Sequence, residues 1–297
     1  MNLGSVVTAM VTPFNEQGGV DYDKLPQLMD ILISRGTEAV IVGGTTGESA
    51  TLSMEEKAKL YKASASASNG RIPVIAGTGM NDTHATAKLS IQAEKDGVDG
   101  VMLVAPYYNK PSQKGMYEHF KTIAEKLSVP VMIYNVPGRT MVNILPETTI
   151  ALSAVTNITA VKEASGNLDQ MTAIIANTPK DFRVYSGDDS LTLPSLAVGA
   201  DGIVSVSSHV IGAEMQDMVR LYRSGKIEEA ARLHQHLVPF MKAMFIAPSP
   251  SPVKTALHMQ GVETGGVRLP LIPLTESERE IVQKALDEVA NLQQFPY

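Results

Sequence analysis

The sequence predicts an α/β fold in which eight parallel strands close into a barrel. Short runs rich in β-branched residues recur up to about Val210, and segments with helical periodicity separate them. This alternation is typical of βαβ units in a parallel sheet, and eight such units fit a closed (β/α)8 barrel, the TIM barrel. A doubly wound open sheet is the alternative. The barrel is favoured because no Gly-rich dinucleotide fingerprint follows the first run.

Eight runs are predicted strands, in chain order: Val6–Val11, Ala39–Val42, Pro73–Ala76, Gly100–Ala105, Pro130–Asn135, Ile158–Lys162, Arg183–Ser186 and Gly202–Val206. The amphipathic segments between them predict helices at Met54–Ser68, Asp82–Asp96, Gly115–Leu127 and Leu168–Ala176. Ser53 and Glu56 have the spacing of a capping box, which predicts where the first of these helices begins.

After Val210 the strand pattern stops and helical periodicity continues. The predicted helices there are Gly212–Arg223, Ile227–Ala247, Val253–Met259 and Glu276–Leu292. A Pro-rich segment, Pro248-Ser-Pro-Ser-Pro252, separates the second of them from the third. The sequence therefore predicts a catalytic barrel over residues 1–225 and a C-terminal helical region over 226–297.

Composition excludes several classes of function. The 297 residues include no cysteine, which rules out disulfides, iron–sulfur clusters, thiolate zinc sites and a catalytic thiol. The net charge of −6 argues against a nucleic-acid partner. The six histidines form no metal-binding pattern, since His234 and His236 do not share a helix face. With no signal peptide and no apolar run of ~18 residues, we expect a cytoplasmic protein that binds no membrane.

Lys162 is the most informative residue of the sequence. It ends the run Ile158-Thr-Ala-Val-Lys162, and strand alternation places Ile158, Ala160 and Lys162 on one face. The carboxyl end of a barrel strand is where barrel enzymes place catalytic groups. Apolar neighbours would lower the pKa of the amine and make it a nucleophile that forms a Schiff base with a ketone. A lysine that reaches solvent, or that pairs with Glu163, is the alternative.

Tyr134 ends the preceding predicted strand, 28 residues before Lys162. One βα unit has about this length, so neighbouring strands would bring a phenol beside the amine. A phenol can relay protons to and from a carbinolamine. A core tyrosine whose hydroxyl is hydrogen-bonded is the alternative.

Three loops after predicted strands carry further polar groups. Gly43-Gly-Thr-Thr-Gly-Glu-Ser49 offers hydroxyl and backbone N–H groups that suit a carboxylate, although a structural turn would look the same. Arg139 could bind a carboxylate through two hydrogen bonds, or could be an exposed loop residue. Tyr107 and Tyr108 could line a site or pack at an interface.

These segments together resemble the dihydrodipicolinate synthase family, within the pyruvate-dependent class I aldolase superfamily. The resemblance spans almost the whole chain, and its motifs come in the family's order and spacing: Gly44-Thr-Thr-Gly-Glu-Ser49, Pro106-Tyr-Tyr-Asn109, Tyr134-Asn-Val-Pro137 with Arg139, Val161-Lys-Glu163 and Ser186-Gly-Asp-Asp189.

The resemblance implies a (β/α)8 barrel, no metal, no organic cofactor and a Schiff-base mechanism. The implied reaction condenses pyruvate with L-aspartate-4-semialdehyde to 4-hydroxy-tetrahydrodipicolinate, in lysine and diaminopimelate biosynthesis. The implied oligomer is a homodimer or homotetramer, with a dimer of dimers favoured.

Residues that match the family's functional positions carry the roles it implies. Lys162 is the Schiff-base lysine and Tyr134 the general acid/base. Thr45 and Tyr108 complete a proton relay, in which the second tyrosine comes from a neighbouring subunit. Four further residues are implied to bind substrate: Thr46 the pyruvate carboxylate, Arg139 the semialdehyde carboxylate, and Gly187 and Val204 through backbone positions that line the pyruvate pocket.

Other activities remain as alternatives. N-acetylneuraminate lyases and keto-sugar-acid aldolases share the lysine, the tyrosine and a similar Gly-rich loop. Arg139 discriminates best, because it suits a short second substrate that ends in a carboxylate, and the Tyr107–Tyr108 pair also favours the synthase. A barrel that has lost catalysis and acts as a binding protein is the alternative from a different class.

The sequence departs from the family at the site where lysine inhibits some members. Four of its residues match: Ser49, Ala50, Asn81 and Tyr107. Three differ, because Met54, Lys57 and Ala85 stand where those members carry His, His and Glu. Losing the acid removes a partner for the ligand's ammonium, and Lys57 adds a like charge. We therefore expect weak or absent inhibition by lysine. A milder departure is Ser249, where relatives often have asparagine.

Overall fold

Eight parallel strands form a closed barrel in the computed structural model, which describes residue 1 and residues 3–292. Each strand pairs with the next, and the eighth pairs with the first. The strands are β1 (Val6–Ala9), β2 (Ala39–Val42), β3 (Val74–Gly77), β4 (Gly100–Val104), β5 (Val131–Asn135), β6 (Ile158–Glu163), β7 (Arg183–Ser186) and β8 (Gly202–Ser205). The predicted barrel is confirmed, with strand ends shifted by one or two residues.

Helices follow the strands in alternation. Those up to the end of the barrel are α1 (Leu25–Ser34), α2 (Met54–Ser68), α3 (Thr83–Lys95), α4 (Gln113–Ala124), α5 (Pro137–Thr140), α6 (Pro146–Leu152), α7 (Leu168–Asn177), α8 (Thr192–Ala197) and α9 (Ser208–Arg223). The predicted capping box is present, since the Ser53 hydroxyl accepts from the Glu56 N–H and the Glu56 carboxylate accepts from the Ser53 N–H. Helix α9 begins at Ser208, four residues before the predicted start, and has non-helical backbone angles at Ile211.

Apolar side chains form two layers. The inner layer fills the barrel and includes Val7, Ile41, Met102 and Met132, while the outer layer lies between strands and helices. The prediction that Ile158 shares a face of the strand with Ala160 and Lys162 is wrong. The strand register shifts after Val131, which pairs with Ile158, whereas Met132 pairs with Ala160. Ile158 therefore packs in the outer layer, and only Ala160 and Lys162 of the predicted trio share the inward face.

Three helices follow the barrel: α10 (Ile227–Ala243), α11 (Ser251–Met259) and α12 (Glu276–Leu292). Helix α10 ends four residues earlier than predicted. It packs against α9 and α12, and it also contacts the turn at Asp189–Leu191 that follows β7. The helices after the barrel thus reach the carboxyl ends of the strands. The division into parts 1–225 and 226–297 stays a prediction.

No helix in the described part of the chain combines the length and hydropathy that crossing a bilayer requires. Among residue 1 and residues 3–292, no group of three or more His, Asp or Glu side chains is placed to hold a metal ion.

Candidate active site

A cavity of about 560 Å³ opens at the carboxyl ends of the strands. It contains six of the predicted site residues, namely Thr45, Thr46, Tyr134, Arg139, Lys162 and Gly187. The rest of its wall is formed by Val136, Gly138, Ala164, Asp188, Asp189, Ser190, Val206, Met241, Lys242, Phe245 and Ser249. Residues from distant parts of the sequence thus converge where barrel folds place their active sites.

Lys162 and Tyr134 lie side by side at the ends of adjacent strands. They are direct partners in the β5–β6 register, and the Lys162 Nζ is 4.5 Å from the centre of the Tyr134 ring. Both side chains are buried. The predicted pairing of amine and phenol is therefore present in the structure.

Burial lowers the pKa of the Lys162 amine to about 8. The buried Asp189 carboxylate opposes this shift, and the Arg139 cation adds to it. At pH 7 about one tenth of such an amine is neutral and nucleophilic, far more than for an exposed lysine. Neither alternative for Lys162 is supported, that is, a side chain that reaches solvent or one that pairs with Glu163. The side chain is only 6% exposed, and Glu163 hydrogen-bonds to other residues, including Asn135 and Gln170.

Gly187 leaves room for the lysine side chain. A Cβ atom at this position would lie 2.6 Å from the Ala164 Cβ and 2.9 Å from the Lys162 Cε. A side chain at residue 187 would therefore push the Lys162 side chain away from its present position, which explains why glycine directly follows β7.

The Gly-rich loop after β2 brings two hydroxyl groups to the cavity. Burial raises the pKa of the Tyr134 phenol, and Arg139 and the nearby Thr45 side chain partly offset that rise. Thr46 is buried in the cavity wall. The Thr12 hydroxyl donates to the Gly47 carbonyl at 2.7 Å, and this bond ties the loop to the segment after β1.

Arg139 lies on the short helix α5, which directly follows β5. Its side chain is exposed at the cavity wall. Helix α5 begins at Pro137, two residues after β5 ends, so Arg139 stays near the strand ends and in the cavity wall. The position suits a carboxylate that enters from solvent.

Sequence reasoning gave no role to several residues of the cavity wall. The Asp189 carboxylate accepts from the backbone N–H groups of Val206 and Ser207 at 3.2 and 2.8 Å, and burial raises its pKa. Asp189 ends the motif Ser186-Gly-Asp-Asp189 just after a predicted strand, and this position could have identified it as a site residue from the sequence. Met241, Lys242 and Phe245 had no such signal, because only packing of the C-terminal helices brings them to the cavity.

Two predicted residues lie away from the cavity wall within one chain. Tyr108 is 88% exposed and has a left-handed backbone, with φ of 75°. Val204 is buried among inner barrel side chains, and Val206 of the same segment lines the cavity instead. An exposed tyrosine with a constrained backbone suits a contact outside its own chain.

The predicted remnant of a lysine site spans the loops after β2, β3 and β4 and the starts of two helices. Lys57 is 6% exposed, and burial lowers its pKa. Met54 and Tyr107 remain partly exposed. Ala85 lies in the first turn of α3 and presents no side-chain oxygen to a ligand.

This chain is similar to known proteins of the family that its sequence motifs resemble. The sequence model described as the dihydrodipicolinate synthetase family matches residues 2–289. The 4-hydroxy-tetrahydrodipicolinate synthase of Bacillus velezensis is 57% identical over 97% of this chain and 100% of its own length.

Two solved structures are also similar to this chain over nearly its whole length. Dihydrodipicolinate synthase from Bacillus anthracis is 55% identical, with a TM-score of 0.95 and full coverage of both chains. The enzyme from Cyanidioschyzon merolae, solved with lysine bound, is 44% identical, with a TM-score of 0.95 over 97% of this chain and 98% of that one.

Proposed function

The chain belongs to the dihydrodipicolinate synthetase family, and from this membership and the geometry of the cavity we propose how it works. It is a Schiff-base-forming lyase that condenses pyruvate with L-aspartate-4-semialdehyde to 4-hydroxy-tetrahydrodipicolinate, in lysine and diaminopimelate biosynthesis. One observation carries the assignment of roles, namely the buried Lys162 amine beside Tyr134 in a cavity that also holds Arg139. We also propose a cytoplasmic location.

Lys162 attacks the keto carbon of pyruvate, and the carbinolamine loses water to give a protonated imine. Tyr134 is placed to give the departing hydroxyl its proton, and the Thr45 hydroxyl in the same wall offers a route for that proton to be replaced. The cationic imine then makes the methyl group acidic. Loss of a methyl proton gives an enamine whose carbon attacks the aldehyde carbon. The amino group of the semialdehyde then attacks the re-formed imine carbon, and the bond from that carbon to the Lys162 nitrogen breaks.

The two carboxylates of the substrates bind at different places. Thr46 lies in the wall near Lys162 and binds the carboxylate of pyruvate. Arg139 lies at the exposed part of the wall and binds the carboxylate of the semialdehyde. Gly187 supplies backbone at the pyruvate subsite, and Val206 lies in the same wall in place of the expected Val204. A longer sugar acid would place hydroxyl groups beside the Arg139 guanidinium, whereas the semialdehyde places a carboxylate there. Arg139 therefore favours the short substrate.

An assay that offers two reactions tests this function. We expect rapid turnover of pyruvate with aspartate semialdehyde, and little or no cleavage of N-acetylneuraminate. Preferred cleavage of the sugar acid would assign the chain to the lyases. A chain that traps no pyruvate and turns over neither substrate would support the inactive-barrel alternative.

Tyr108 supports a proposal that the active form is a homo-oligomer, with a dimer of dimers favoured. Its 88% exposure leaves the phenol outside its own cavity, so it completes the relay of a neighbouring subunit. We expect Tyr108→Phe to lower kcat by roughly 10²-fold, the scale of a lost general acid/base, while the oligomer persists in sedimentation. A fully active monomer would contradict the proposal.

Inhibition by lysine is expected to be weak or absent, because Lys57 adds a cation and Ala85 supplies no acid. The measurement is an inhibition curve with free lysine, and half-inhibition below millimolar concentration would contradict the expectation. The triple variant Met54→His, Lys57→His, Ala85→Glu should become sensitive. Ala85→Glu alone should gain less, since the Lys57 cation remains.

A further inference from the structure

The Glu163 carboxylate, next to Lys162 in sequence, is buried on the other side of β6. It accepts from Asn135 Nδ2 at 3.0 Å, from Gln170 Nε2 at 2.9 Å and from the Ser165 N–H at 2.7 Å. None of these donors carries a charge, so amide groups alone hold a buried carboxylate. Such an arrangement is costly to disturb, because a lost donor leaves the oxygens unpaired.

Asn135 connects this carboxylate to the segment that carries Arg139. The chain leaves β5 after Asn135, passes through α5 and returns at Asn143. There the Asn135 side chain donates to the Asn143 Oδ1 at 2.7 Å and accepts from the Ile144 N–H at 2.9 Å. One side chain therefore closes the loop that carries Arg139 and joins it to the end of β6.

Gln113, at the start of α4, holds the far end of the same loop. Its Nε2 donates to the Asn143 carbonyl at 2.8 Å, and its Oε1 accepts from the Leu145 N–H at 3.1 Å and the Thr148 hydroxyl at 2.7 Å. Gln113 is not on the cavity wall. Its hydrogen bonds to the loop link it to Arg139 without any contact with the cavity.

We propose that Glu163, Asn135, Asn143, Gln170 and Gln113 form a positioning network that fixes Arg139 relative to Lys162 and so sets specificity for the second substrate. The inference rests on the proposed function. Arg139 itself lies exposed on a helix of four residues, so its place depends on how the two ends of its loop are held. The network holds both ends and is anchored beside the nucleophile.

The test uses Gln113→Leu, which removes three hydrogen bonds without touching the cavity. We expect KM for aspartate semialdehyde to rise by about threefold to tenfold, while KM for pyruvate and borohydride trapping of pyruvate on Lys162 stay unchanged. Gln113→Glu retains the two accepted bonds and should show a smaller rise. Gln92→Leu removes a hydrogen bond to Asp96 on the exposed face of α3 and serves as the control.

A double variant separates positioning from general loosening. If Gln113 acts through Arg139, adding Gln113→Leu to Arg139→Ala should leave KM for the aldehyde as in Arg139→Ala alone. Fully additive effects would overturn the inference, as would equal changes in both KM values. Failure of the proposed function would look different, because the unaltered chain would then fail to condense the two substrates.

Discussion

Replacing Lys162 with methionine is expected to abolish covalent capture of pyruvate and to lower kcat on the order of 10⁴-fold or more, the scale of a removed nucleophile. Methionine fills a similar volume, so the fold should persist. The measurement is borohydride reduction in the presence of pyruvate, followed by mass spectrometry of the peptide that contains residue 162. A pyruvyl adduct on the methionine variant, or on another lysine of the unaltered chain, would contradict the mechanism.

Lys57→Met provides the matched control for this experiment. Lys57 is also a buried lysine whose pKa burial lowers, yet it is not on the cavity wall. Its variant should trap pyruvate as the unaltered chain does. If burial alone made a lysine reactive, the Lys57 peptide of the unaltered chain would carry an adduct as well, and the position of Lys162 beside Tyr134 would not explain its reactivity.

The rate of imine formation should also follow the Lys162 pKa. With a value of about 8, the neutral amine gains about tenfold per pH unit below 8 and levels off above it. Arg139 contributes to the lowered value, so Arg139→Ala should move the midpoint upward. A midpoint near 10.5 in the unaltered chain would mean that the amine is not desolvated as the cavity requires.

The features that the sequence predicted are those that depend on local pattern. Strand periodicity and the spacing of βα units place Tyr134 and Lys162 at neighbouring strand ends, and the observed register joins them. The capping box of α2 depends on two nearby residues and is equally local. Candidate catalytic residues that lie at strand ends can therefore be predicted from the sequence.

The features that it missed depend on geometry that builds up over the whole chain. Ile158 faces outward because of one register shift, which no periodicity reveals. Lys242 and Phe245 reach the cavity only because α10 packs across the strand ends. Tyr108 lies exposed outside the cavity of its own chain, so the role proposed for it requires a neighbouring subunit that a single chain does not contain.

A buried ion pair between Glu48 and Lys254 gives the largest expected effect on stability. Their side chains are 1% and 4% exposed, with the Lys254 Nζ 2.9 Å from the Glu48 Oε1. The same amine donates to the Gly266 carbonyl at 2.7 Å and lies 4.2 Å from the centre of the Phe14 ring. Because Glu48 belongs to the Gly-rich loop and Lys254 to α11, the pair joins the helices after the barrel to the active site.

Lys254→Met should lower the free energy of unfolding by about 3–5 kcal/mol, since it leaves the Glu48 carboxylate buried without its cation. The measurement is urea unfolding at neutral pH, where the carboxylate of the unfolded chain is ionised. Arg220→Met is the control. It breaks an ion pair with Asp217 whose side chains are 70% and 45% exposed, and it should cost at most about 1 kcal/mol.

Glu48→Gln together with Lys254→Met should recover much of the lost stability, because the double variant buries no unpaired charge. The affinity for pyruvate should recover together with the stability. The Glu48 N–H donates to the Thr45 carbonyl at 3.0 Å, so a displaced Glu48 moves Thr45 and Thr46, and the single variant should bind pyruvate more weakly. If the single variant loses stability while KM for pyruvate stays unchanged, the ion pair supports only the fold. A parallel change in both would mean that this pair helps the C-terminal helices to hold the Gly-rich loop in place, beside the bond from the Arg268 N–H to Glu48.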